Sequence, residues 1–248
     1  MQVVVQKSFY VKENNCMDMN YNSLVLVDGR NCKIYQSEGA NCLLIQPIDE
    51  HDFAVLEKEV NAIRSLTRIP FTLVTFEIKD WQSDLTPWSA PAVFGKVPFG
   101  DGAVATLSFI TDKLIPQLIQ IGLYNKKTMR CLLGGYSLAG FFTLWAGYQT
   151  RVFDGIVAAS PSVWYPRWMD YAESQIPSVH DIYLSLGDKE EKTKNPLMAQ
   201  VGKCICRQEE LLAAQGINTI LEWNPGNHFQ HTDERIAKGF AWLINQNH

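Results

Sequence analysis

Hydrophobic and polar positions change period along this chain. Residues 23–27 and 32–36 form two short runs around Asp28-Gly29-Arg30-Asn31. The Asp-Gly pair supplies the positive φ angles that a tight hairpin turn demands, so the chain opens with antiparallel strands. From Cys42 onward, short apolar runs alternate with helical spacings. Residues 42–45 read as a strand, and Asp52 starts a segment with Phe53, Leu56, Val60 and Ile63 one helical turn apart. Residues 71–78 form the next strand and lead into a long aromatic loop. Val104, Leu107, Ile110, Leu114, Leu118 and Ile121 then mark a helix bent at Pro116. Strands at 129–133, 155–159, 182–186 and 218–223 are interleaved with helices at 138–148 and 195–214. Ile236, Phe240 and Leu243 give a terminal helix one apolar face, capped near Thr232 or Asp233.

Parallel neighbours need crossover helices, so this order predicts an α/β fold: a mainly parallel central sheet with helices on both faces and antiparallel N-terminal strands. No internal repeat or long linker divides it. A single domain is expected over residues 1–248, with 1–40 as its antiparallel hairpin region. Chemistry in such sheets gathers at the carboxyl ends of the strands.

Composition narrows the function classes. The chain has 248 residues, 46% of them hydrophobic, enough for a sizeable core. A net charge of -4 without a basic stripe excludes a nucleic-acid surface. Val3-Val4-Val5 is too short for the apolar part of a secretory signal, so Met1 is the expected mature start. Residues 131–150 carry no charge, but Gly134, Gly135 and Gly140 suit a strand, turn and helix better than a membrane span. Six cysteines, at 16, 32, 42, 131, 204 and 206, fit a reducing cytoplasm. Cys204 and Cys206 diverge on a helix and read as two free thiols.

The loop Gly134-Gly135-Tyr136-Ser137-Leu138-Ala139-Gly140 joins a buried strand to an apolar helix. A nucleophilic serine there stands on a sharp turn, and the positions two before and two after it must be small. Gly135 and Ala139 meet that need. The amide of Leu138 then points at a developing oxyanion, and the helix dipole favours negative charge there. A plain glycine turn is the competing reading; a phosphate loop fails because Gly-x-Gly-x-x-Gly is absent.

A serine hydroxyl needs a general base oriented by a carboxylate, in the chain order serine, acid, histidine. His228, in Asn224-Pro225-Gly226-Asn227-His228-Phe229, follows the last strand. His231 belongs inside the terminal helix or at its cap, and His248 ends the chain. A zinc pair of His228 with His231 lacks a third ligand and the Glu of His-Glu-x-x-His. For the acid, Asp188, Glu190 and Glu191 all follow the 182–186 strand, and their spacing leaves the choice among them open.

With these segments in view, the sequence resembles the esterase-D-like branch of the alpha/beta-hydrolase superfamily. The resemblance runs from about Asn41 to the end. It rests on Gly135-Tyr136-Ser137-Leu138-Ala139-Gly140, Leu186-Gly187-Asp188-Lys189-Glu190 and Gly226-Asn227-His228-Phe229. Many relatives have glycine where this chain has Ala139. The resemblance implies Glu190 as the acid, with Asp188 as the alternative, and the backbone N–H of Trp81 as the second oxyanion donor beside Leu138. It also places Asp84 and Trp88 at the entrance.

The aromatic loop is longer than a connector needs, and Trp164 in 160–166 supplies a second wall, with Tyr136 beside the serine. The expected activity is that of a cytoplasmic serine carboxylic-ester hydrolase, with Ser137, His228 and Glu190 as the catalytic residues. It would act on a small ester or thioester through an acyl-enzyme, without metal or organic cofactor, nucleic acid or membrane partner. A homodimer is left open. Acyl transfer by the same machinery and a non-catalytic binding module of the same fold are the alternatives.

Overall fold

The computed structural model describes residues 6–8, 20–50 and 52–246. The sequence readings on Val3 to Val5, Cys16 and His248 fall outside them. The described strands form a nine-stranded sheet in the order β1-β2-β3-β5-β4-β6-β7-β8-β9. Its antiparallel side consists of β1 (Gln6–Ser8), β2 (Asn20–Val27) and β3 (Arg30–Ser37). Asp28 and Gly29, at φ 47° and 78°, turn β2 into β3 with Val27 opposite Arg30. That is the conformation expected of the Asp-Gly pair.

The remaining strands are β4 (Cys42–Ile48), β5 (Phe71–Glu77), β6 (Arg130–Tyr136), β7 (Gly155–Ala159), β8 (Asp181–Gly187) and β9 (Asn218–Asn224). They pair parallel to one another, while β3 joins β5 antiparallel. Strand order runs from β4 outward to β5 on one side and to β6 through β9 on the other. A crevice therefore opens at the carboxyl ends of the central strands.

Two apolar layers cover the sheet. On one face, α1 (Leu56–Leu66) and α8 (Thr232–Ile244) bury Leu56, Val60, Ile63, Ile236, Phe240 and Leu243 against Leu44, Leu73, Leu132 and Val157. On the other face, α5 (Leu138–Gln149) packs over Leu133, Ile156 and Ala158. All of its twelve residues but Thr143 and Gln149 are apolar or small, and Leu138 through Tyr148 are buried. The uncharged stretch 131–150 is thus strand, turn and buried helix. Among the described residues no helix is long and apolar enough to cross a membrane.

Three local readings change. The aromatic loop carries a helical turn, α2 (Trp81–Asp84), capped by the Asp80 side chain on the Ser83 N–H. The helix expected around Pro116 is divided into α3 (Ala103–Phe109), a π-helical turn (Ile110–Leu114) and α4 (Ile115–Gln120). Pro116 has no N–H to give the preceding turn, so the chain widens there instead of only bending. Val104 faces solvent, and Ala103, Thr106 and Phe109 take the inner positions of α3. Finally, α6 (Trp168–Ser174) follows a stretch whose Trp and Pro content masked a helix, and α7 begins only at Val201 (Val201–Ala214).

Candidate active site

Ser137 links β6 to α5 at φ 59° and ψ -121°. A side chain at positive φ costs on the order of 1–3 kcal/mol and persists only where the surroundings impose it. Here they do. A Cβ on Gly135 would lie 2.5 Å from the Ala139 carbonyl carbon, and one on Gly140 would lie 2.9 Å from the Ala159 and Gly135 carbonyl oxygens. The helix packs on the strand so closely that only glycine fits at both positions. The Ser137 N–H donates to the Ala159 carbonyl at 3.1 Å, and its own carbonyl accepts from Ser162 and Phe141.

The loops after β8 and β9 bring two further groups to this turn. His228 Nε2 lies 2.9 Å from Ser137 Oγ, and its Nδ1 lies 2.7 Å from Glu190 Oε2. A carboxylate facing Nδ1 fixes the proton there, which leaves the Nε2 lone pair to accept from the serine hydroxyl. Glu190 is buried. Its other oxygen, Oε1, accepts from the Gly187 N–H at 2.7 Å, the Ser160 hydroxyl at 2.8 Å and Arg235 Nη1 at 2.6 Å. Burial alone would raise the Glu190 pKa. The hydrogen bond and charge of His228, with the bonds from Ser160 and Gly187, outweigh it and hold the carboxyl below its ordinary value.

Asp188, the alternative acid, is exposed and turned elsewhere: its Oδ1 accepts from the Gly226 N–H at 2.8 Å. It ties the β8 loop to the β9 loop. His231 stands at the N-cap of α8 with φ 57°, and its Nδ1 lies 3.4 Å from Glu234. Both ring nitrogens of His228 are engaged by Ser137 and Glu190, so the two histidines share no partner.

A cavity of about 360 Å³ opens at Ser137 and His228, walled by Trp81, Phe94, Trp164, Met198, Val201 and Phe229. Of the residues expected to touch substrate, Trp164 lines it. Asp84, Trp88 and Tyr136 do not. Trp88 packs beneath the loop: its Nε1 donates to the Pro166 carbonyl at 2.9 Å, its own carbonyl accepts from the Tyr165 hydroxyl, and its ring contacts Tyr165 and Tyr171. The Asp84 carbonyl accepts from Thr106, which anchors α2 to α3. The Tyr136 hydroxyl donates to the His228 carbonyl at 2.8 Å and so holds the histidine loop from behind. Trp81 and Leu138 each open a helix at the cavity, where the first N–H groups have no partner within the helix.

Sequence reasoning missed Phe94, Phe229 and Arg235. Phe229 is 87% exposed, its ring edge-on to His228 at 5.3 Å, and nothing in its local pattern marks it. Arg235 carries one faint signal. A cation in the first turn of a helix opposes the dipole, so another contact must offset it.

The model of the "Putative esterase" family matches residues 21–229. The chain belongs to that family. It is a carboxylic-ester hydrolase with an alpha/beta-hydrolase fold. No curated protein sequence matches it significantly.

Among solved structures, the esterase is similar to the siderophore hydrolase EstA from Aspergillus nidulans, at 17% identity and a TM-score of 0.65 over 98% of this chain and 94% of that one. An IroE-like serine hydrolase from Shewanella oneidensis aligns at 14% identity and a TM-score of 0.72, covering 98% and 80%. The enterobactin esterase FES from Shigella flexneri aligns at 14% identity and a TM-score of 0.63, covering 90% of this chain and 59% of that one. Identities this low carry the fold alone.

Proposed function

We propose that the esterase works through a Ser137-His228-Glu190 triad and an acyl-enzyme. The observation that carries this reading is the continuous chain from Ser137 Oγ to His228 Nε2 at 2.9 Å and from Nδ1 to Glu190 Oε2 at 2.7 Å. Ser137 Oγ attacks the ester carbonyl while His228 Nε2 takes its proton. The Leu138 and Trp81 amides receive the oxyanion, and the imidazolium returns the proton to the leaving alcohol. Water, deprotonated by the same nitrogen, then releases the acid. Glu190 holds the Nδ1 proton throughout and balances the charge that forms on the ring.

The aromatic and thioether wall of the cavity favours an ester whose acyl or alcohol part is apolar or aryl. Two structural relatives are described as siderophore hydrolases or enterobactin esterases, which makes siderophore esters a rational first panel beside simple aryl esters.

The test is intact mass after treatment with a fluorophosphonate, with p-nitrophenyl acetate turnover measured alongside, with and without a chelator. Wild type should gain one adduct, Ser137→Ala none, and His228→Ala should label far more slowly. Turnover without labelling of Ser137 would overturn the reading, as would turnover abolished by the chelator.

A further inference from the structure

We propose that Arg235 is a positioning residue, one buried guanidinium that holds the acid and the histidine loop in register and sets the lower pH limit of activity. The inference rests on the triad reading above. Arg235 lies in the first turn of α8 and is fully buried. Its Nη1 donates to Glu190 Oε1 at 2.6 Å, the Tyr136 hydroxyl at 3.0 Å and Ser160 Oγ at 3.1 Å. Its Nη2 donates to the carbonyls of Pro225 at 3.2 Å and Asn227 at 3.0 Å, both in the loop that carries His228. One planar group therefore binds the end of β6, the residue after β7, the acid loop after β8 and the histidine loop after β9.

The surroundings are shaped for this group. A Cβ on Gly187 would fall 2.8 Å from Arg235 Nη2 and 2.5 Å from the Gly226 carbonyl oxygen, so the end of β8 is bare where the guanidinium passes. Because Glu190 Oε1 is occupied by Arg235, Ser160 and Gly187, Oε2 is the oxygen left to face His228. The rigid fork of an arginine suits this role, and an ammonium would not reach both sides.

Charge gives Arg235 a second effect. Its cation and the Glu190 carboxylate cancel, so the resting cluster with neutral His228 has no net charge. Proton uptake from water by the Glu190-His228 pair would leave the cluster with a net charge of +1, which is unfavourable beside a buried guanidinium whichever atom takes the proton. The Arg235 cation thus opposes proton uptake by the acid and the histidine together, and this opposition is what the pH profile below reads.

Among the described residues, Tyr136 from β6 and Tyr183 from β8 also face Arg235, with Asp188 exposed on the neighbouring loop. Burial pushes the Tyr136 hydroxyl up to about 12, and burial raises Tyr183 further, so both stay neutral through the working range. Glu222 is paired with Lys238 at 2.6 Å.

The experiment compares Arg235→Gln and Arg235→Lys with wild type in kcat and KM for p-nitrophenyl acetate from pH 5 to 9, after folding is checked by circular dichroism. Arg235→Gln removes the charge and should move the acid limb of kcat/KM up by about one pH unit. Arg235→Lys keeps the charge and loses the fork, so the limb should stay in place while kcat falls roughly ten-fold or more. KM should change little in either, because Arg235 does not line the cavity.

An unmoved limb in Arg235→Gln, or a wild-type kcat in Arg235→Lys, would overturn the proposal. If Arg235→Gln does not fold, the lysine variant decides it by the same criterion. Fluorophosphonate labelling separates the two levels of the argument. Failure of wild type to label Ser137 would overturn the triad and this inference together, whereas normal labelling with an unmoved limb would overturn the role of Arg235 alone.

Discussion

Glu190→Gln should injure the fold as well as the chemistry, and the structure sets the size of the effect. The Glu190 and Arg235 side chains are 3% and 0% exposed and meet at 2.6 Å. A glutamine keeps the shape and one acceptor oxygen, but it leaves a buried guanidinium without its counter-charge. Removing one partner of a buried pair costs about 3–5 kcal/mol; since the amide oxygen can still accept, we expect about 3 kcal/mol.

For a chain of this length that lowers the melting temperature by about 6–12 °C. The amide also sets N–H against His228 Nδ1, which favours the wrong tautomer and should cut kcat by about 10³-fold or more. Thermal melts of Glu190→Gln, Ser137→Ala and wild type at pH 7 measure the stability term, and the serine variant should stay within about 1 kcal/mol of wild type.

The pH dependence supplies a second check. The folded pKa of Glu190 is depressed, so its stabilisation is present above the unfolded carboxyl value and is lost as pH falls through the lower folded value. The gap between wild type and Glu190→Gln should therefore narrow below about pH 4. A Glu190→Gln protein that melts within about 2 °C of wild type at pH 7 would refute the reasoning.

Other variants separate structure from function. Gly135→Ala puts a methyl 2.5 Å from backbone of α5, which cannot yield cheaply, so urea denaturation should show a loss of about 3 kcal/mol and Ser137 should label poorly. Glu59 is fully buried on α1, and burial pushes its carboxyl up to about 8. The folded state keeps a proton that the unfolded chain releases, so stability falls as pH rises from about 4.5 to 8. Glu59→Gln should add on the order of 2–4 kcal/mol in urea denaturation at pH 8 and almost nothing at pH 4.5. Phe229→Ala should raise KM for aryl esters several-fold with an unchanged melting temperature, because Phe229 is 87% exposed at the cavity mouth. Trp88→Ala should do the reverse, costing about 2–3 kcal/mol in thermal melts with KM unchanged, since Trp88 packs on Tyr165 and Tyr171 away from the cavity.

Local chemistry made several features legible from sequence. Asp28-Gly29 could turn only one way. Gly135 and Ala139, two positions either side of Ser137, offered the small residues that a sharp strand-to-helix turn needs, and His228 followed the last strand, at the same end of the sheet. Periodicity was less informative where burial is nearly complete, as in α5, or where proline and tryptophan hid a helix, as at α6. It also placed Val104 inward, because a spacing of three or four cannot say which face meets the sheet once a π turn shifts the register.

The choice among Asp188, Glu190 and Glu191 lay beyond spacing altogether. It depends on how the turn after Gly187 folds back, with Asp188 drawn to the Gly226 N–H and Glu190 turned inward. The resemblance put Trp88 at the entrance, but its ring packs on Tyr165 and Tyr171, and no local pattern says which side of a loop an aromatic ring faces. Arg235 was the least visible of all. Its partners come from four other segments; residue type and spacing by themselves determined the turn, the alternation of strands and helices, and the candidate serine and histidine. Only the long-range packing of those segments decided that an arginine in a polar-looking helix start lies buried against the acid.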